Sequence, residues 1–109
     1  MRLVNLTPHK LILHFPDGVR EVEPSGTVAR LEAVTEPDPN DPGTVIERLG
    51  DVTGLPDPEH GTLFVVSRLV AQALALTAPD RDDVRVPGDL LRDKDGRVIG
   101  AKGLRRIVR

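Results

Sequence analysis

The sequence predicts an α+β fold, mostly antiparallel β-sheet of short strands and hairpins with one central buried helix at about residues 68–77. Three observations carry this. Short apolar or alternating runs recur along the chain, separated by Pro, Gly and Asp, the residues that turn a backbone. Only one stretch, Leu69–Leu76, is rich in Ala and Leu over a helical length, with Gln72 as its sole polar interruption. Asp95-Gly96 lies between two apolar runs, which is a strong short-range hairpin signal.

Leu3 to Leu6 reads as a short strand, Thr7-Pro8-His9 as a turn, and Leu11 to Phe15 as a second strand with Leu11, Leu13 and Phe15 on one face. With the polar return from Val19 to Glu23 after Pro16-Asp17-Gly18, the first third reads as antiparallel sheet. Pro24-Ser25-Gly26 turns the chain into a strand from Thr27 to Val34, whose Ala29, Leu31 and Ala33 share a face. Residues 36–43 are acidic and broken by proline, so an exposed loop is expected there, with Thr44 to Leu49 as the hairpin partner beyond it. Gly50, Gly54 and Pro56-Asp57-Pro58 mark a second irregular stretch. Leu63 to Val66 then forms a strand of β-formers that passes through Ser67 into the helix. Ala78-Pro79 stops the helix, because the residue before a proline is pushed out of the α region. Val84 to Val86 follows as a strand. Leu90–Arg92 and Arg97–Gly100 flank the turn at Lys94-Asp95-Gly96, and Gly100 and Gly103 suggest a bulge or a close backbone approach. Leu104 to Val108 finishes the chain.

The 109 residues suit one domain with one core, and with two Phe and no Trp or Tyr that core must be aliphatic. The same lack of aromatics removes any platform for stacking bases, which argues against single-stranded nucleic acid as a partner. No cysteine is present, so disulfides, zinc–thiolate centres and thiol nucleophiles are excluded. No segment has the length of a membrane span and the N-terminal residues hold no long apolar run, so a cytoplasmic protein without membrane contact is expected. Charge is unevenly spread. Residues 92–109 hold seven basic residues against two acids, while residues 1–91 hold eight against fifteen. A basic end beside an acidic body suits phosphates, or the acidic body of the same chain or a neighbouring subunit.

The junction at Ser67-Arg68 is the first candidate site, since free N–H groups at a helix start attract anions and Arg68 adds a fork for phosphate or carboxylate. Ordinary capping accounts for Ser67 equally well. Asn5, Thr7 and His9 form a polar set at the first turn, with His9 the one candidate general base and turn chemistry the plainer explanation. Arg30 and Arg97 are further cations that either line a basic pocket with Arg68 or pair across strands. His9, His14 and His60 lack metal-ligand spacing, so no metal is expected, and no motif calls for a cofactor. Nor does the glycine-containing run from Gly96 to Gly103 match a phosphate loop or a dinucleotide fingerprint.

Four stretches together, Val4–His9, Pro24–Arg30, Phe64–Ala71 and Val86–Asp93 with Gly96–Gly100, resemble a family of small hypothetical proteins from bacteria, their phages and prophages. The resemblance covers most of the chain and brings no established activity. It implies an accessory protein. One expectation is a binding module for a small anionic ligand such as a nucleotide or a nucleotide-derived signal, held by Arg30, Ser67, Arg68 and His9 with Asn5 and Thr7 nearby. A second is a non-catalytic structural protein acting as a homo-oligomer. A third is a nucleotide hydrolase using His9, for which the sequence supplies neither nucleophile nor acid–base pair.

Overall fold

The computed structural model describes residues 1–109. Its elements are β1 (Arg2–Asn5), β2 (Leu11–Phe15), β3 (Gly18–Val22), β4 (Arg30–Pro37), β5 (Val45–Thr53), β6 (Thr62–Val65), α1 (Arg68–Thr77), β7 (Val84–Pro87), β8 (Leu90–Arg92), β9 (Val98–Lys102) and β10 (Leu104–Arg105). Strands hold 46% of the residues and the one helix 9%, which makes the fold α+β.

Parallel pairing organises the centre. β1 lies parallel to β6, from Arg2↔Thr62 to Asn5↔Val65, and β7 lies parallel to β6 on its other side. β10 adds an antiparallel edge, giving the order β1-β6-β7-β10. The antiparallel pairing of β1 with β2 expected from the sequence does not form. After β1 the Asn5 side chain bonds the turn that follows it, and β2 departs to a second sheet of order β3-β2-β9-β8. There β2 runs antiparallel to β3 and parallel to β9, while β8 and β9 form the hairpin signalled by Asp95-Gly96. Asp93 closes that turn, its carboxylate accepting from the amides of Asp95 and Arg97.

The helix behaves as its sequence requires. The Ser67 hydroxyl caps it by accepting from the Val70 amide at 3.4 Å, and the Ala78 amide closes its end on the Leu74 carbonyl. Val70, Ala71 and Leu74 are buried, joining Leu6, Ala29, Phe64, Val66, Val84 and Val86 in the main core. Burial is confined to that stripe, for Leu69 and Leu76 on the opposite side are 56% and 64% exposed. Val65 alternates with Phe64 along β6 and is also fully buried, so both faces of the central sheet are covered.

Two glycine corners carry the chain between sheets, Gly88 from β7 to β8 and Gly103 from β9 to β10. They lie side by side, the Gly88 amide donating to the Gly103 carbonyl at 3.0 Å. A Cβ on Gly88 would run into the Lys102 carbonyl oxygen, which is backbone and has nowhere to go. Gly88→Ala is accordingly expected to destabilise the fold by about 1–3 kcal/mol in a urea titration followed by circular dichroism. Gly100, at φ 144°, packs on the Ile12 carbonyl and the His14 ring beside a bulge in the β8–β9 ladder, the close approach its sequence context suggests.

β4 and β5 pair only with each other. β4 begins at Arg30, because residues 27–29 are instead held against the β1 turn, and it continues through Glu36 and Pro37, which the sequence assigns to a loop. Pro37 ends the ladder opposite Val45, a position proline tolerates on a two-stranded edge. β5 likewise runs through Gly50, where it carries one extra residue opposite β4. Only Leu31 and Val52, at the base of this ribbon, pack on the main core. The ribbon projects beyond it. The radius of gyration is 16.5 Å, against about 13 Å for a compact chain of this length.

Candidate functional site

A cleft forms where β1 and β6 leave the central sheet at the same end. Because the two strands are parallel and in register, the segment after β1 and the start of α1 emerge as neighbours. A third segment is laid beside them by the Ser25 amide on the Asn5 carbonyl and the Ala29 amide on the Leu6 carbonyl, at 2.9 and 3.0 Å. This delivers Arg30 to the same place. The resulting depression, about 290 Å³, has Thr7, Arg30 and Ser67 as its polar lining and Val28, Leu31 and Leu69 among its apolar walls. The carboxyl end of parallel strands is where open sheets that carry helices place their ligands.

Its electrostatics favour an anion. Arg30 is the one charged residue of the lining and forms no ion pair or side-chain hydrogen bond within the chain. No acid occupies the first turn of α1, so the positive end of the helix is uncompensated. The Ser67 hydroxyl accepts from Val70 and keeps its own proton to donate. The Thr7 hydroxyl spends its proton on Asn5 Oδ1 at 2.6 Å, so it can accept from a ligand hydroxyl or amine but does not itself donate to the anion.

The candidates from sequence divide. Thr7, Arg30 and Ser67 are brought together, while Arg68, His9 and Asn5 lie outside the lining. Asn5 is 1% exposed and fully used within the chain. Its amide donates to the His9 and Val22 carbonyls at 2.7 and 3.1 Å, and its oxygen accepts from the Thr7 amide and hydroxyl. It builds the turn that presents Thr7. His9 contributes a carbonyl to that turn and turns an exposed ring outward. Arg97 belongs to the β8–β9 hairpin of the other sheet. His14 sits 3.2 Å from the Ile99 carbonyl, apart from the other histidines, and no group of three or more His, Asp or Glu is placed to hold a metal ion.

The apolar walls were not legible in advance. Val28, Leu31 and Leu69 each occupy an ordinary strand- or helix-like pattern, and only the parallel β1–β6 pairing gathers them.

The chain has no helix long and apolar enough to cross a membrane. Comparison with protein-family models, with curated proteins and with solved structures finds no match to this chain.

Proposed function

We propose that this protein captures a small anionic ligand, of nucleotide type, in the cleft between Thr7, Arg30 and Ser67. The observation that carries the reading is the convergence of an unpaired guanidinium, an uncompensated helix start and the free Ser67 proton, with Thr7 beside them from a third segment and no acid among them. Arg30 and the first-turn amides suit a phosphate. The walls of Val28, Leu31 and Leu69 offer an apolar surface to the sugar or base. The volume suits a small ligand, being near the lower end of the range for such sites.

A melt followed by circular dichroism against inorganic phosphate, mononucleotides and cyclic nucleotides tests this. A ligand held by the native state, supplied at a hundredfold excess over its Kd, is expected to raise the midpoint on the order of 10 °C. Arg30→Ala is expected to keep the unliganded midpoint and to lose the rise, whereas Arg97→Ala keeps both. Ser67→Ala is a poorer probe, because loss of the cap alone costs about 1 kcal/mol. No shift with any member of the panel overturns the proposal.

A further inference from the structure

The β4–β5 ribbon and the basic end of the chain have complementary surfaces that the ligand cleft does not use. From Glu32 to Asp51 the ribbon carries six acids, Glu32, Glu36, Asp38, Asp41, Glu47 and Asp51, against Arg48 alone. It also exposes Val34, Val45 and Leu49 to between 61% and 66%. A two-stranded ribbon is marginally stable in water unless something packs on it, yet here only its base is packed. Its tip is nevertheless built. The Asp38 amide donates to the Thr44 carbonyl, the Thr44 hydroxyl to the Asp41 carboxylate at 2.6 Å, and the Asn40 amide to Asp38 Oδ1.

A groove of about 190 Å³ runs between α1 and the residues after β10. Leu74, Ala78 and Ile107 form its floor, and Arg106 and Arg109 stand over it. Neither arginine forms an ion pair within the chain, unlike Arg81 at the same groove and Arg105 nearby, which are held by Asp83 and Asp89. Val108, also in its lining, is 69% exposed. An apolar floor under two free cations is the counterpart of an apolar, acidic ribbon.

We infer that the ribbon of one copy docks in the groove between α1 and the C-terminal residues of a second copy, joining identical chains head to tail. The ribbon projects from its own core and none of its residues lines the groove, so the two surfaces serve different contacts. Such a contact is heterologous. Each chain offers one ribbon and one groove, and repetition closes a ring or extends a filament. Val45 or Leu49 supplies the aliphatic side chain that the groove has room for, and Arg106 and Arg109 meet the ribbon carboxylates. The acids set orientation and encounter rate more than affinity, so the contact weakens as salt screens it.

Light scattering on the eluting protein reads the result. The unmodified chain is expected at a multiple of 11.9 kDa in low salt, and at a lower mass in high salt. Val45→Glu with Leu49→Glu, which disables the ribbon, and Arg106→Glu with Arg109→Glu, which disables the groove, are each expected to return the mass to one chain while the melting midpoint holds. Mixed in equal amounts, the two variants are expected to form a heterodimer, since each keeps the surface the other lacks. A monomeric unmodified chain, a mass independent of salt, or retention of the assembly by either variant overturns the inference. Failure of the mixture to recombine also overturns it, and retention of the assembly by the groove variant alone points instead to a symmetric ribbon-to-ribbon contact. None of these outcomes depends on a nucleotide, so the cleft and the docking surface are tested separately.

Discussion

Replacing Arg81 by alanine is expected to remove about 3 kcal/mol of folding stability at neutral pH, because it strands a buried carboxylate. Arg81 and Asp83 form a two-pronged pair, Nε to Oδ1 at 2.9 Å and the terminal nitrogen to Oδ2 at 3.0 Å, with side chains only 18% and 10% exposed. The same guanidinium donates to the Pro56 carbonyl and so ties down the loop before β6. Burial pushes the Asp83 carboxyl up, but the hydrogen bonds and charge of Arg81 outweigh it and hold the group below its ordinary value of 3.8. A carboxyl lowered on folding contributes stability above its unfolded value and loses it as pH falls through the folded value. Arg81→Ala removes the group that opposes the effect of burial, so the stranded carboxyl binds a proton more readily than in the unmodified protein. The deficit is therefore largest at neutral pH and narrows as acidification through the range around 3.8 protonates it. Urea titrations at several pH values check this. A deficit that does not change with pH would show that lost packing, not the stranded charge, sets the cost. Arg81→Met with Asp83→Leu should recover most of the loss, since removing both charges leaves neither unpaired.

That pair also marks where the sequence stops being legible. Arg81 and Asp83 sit two residues apart in a polar stretch whose composition resembles any surface turn, and nothing local says that β7 will bury it. The helix is the opposite case. Ser67, the Ala/Leu run and Ala78-Pro79 settle its two ends by capping and by the restriction before proline, both local effects, and the structure places it at Arg68–Thr77. The β8–β9 hairpin is equally local, fixed by Asp93 and Gly96. Parallel neighbours are not. The β1–β6 and β2–β9 pairings join residues far apart in the chain, and a short apolar run looks the same whether its partner is parallel or antiparallel.

The candidate site inherits this division. Ser67 is readable as a cap and Arg30 as a cation on a strand, but their proximity follows from the parallel pairing. The ribbon extends further than its sequence suggests for a related reason. Proline argues against a central strand, whereas an isolated pair of strands has two free edges on which Pro37 costs little.

Asn5→Ala is expected to cost about 3 kcal/mol, close to the loss at Arg81, although its sequence context suggests a ligand contact. The amide is 1% exposed and makes four hydrogen bonds. Truncation leaves the Val22 carbonyl without the Asn5 donor and the Thr7 amide without an acceptor, at the point where β1 ends and the cleft begins, while the His9 carbonyl keeps the Thr7 hydroxyl at 3.1 Å. Part of the cost is recovered by water reaching the exposed His9 side of the turn, and the Val22 side is less accessible. Asn5→Asp separates the contributions. It keeps an acceptor for Thr7 but turns carboxylate oxygen toward two carbonyls, so it is expected to destabilise at neutral pH at least as much as alanine and to recover partly in acid, where protonation restores one donor. A residue whose role was to touch ligand would behave differently. Its alanine variant would melt at the wild-type midpoint and lose only the ligand-induced rise, the pattern assigned above to Arg30. Comparing Asn5→Ala with Arg30→Ala in the same melting assay therefore tells the group that builds the cleft from the group that faces what enters it.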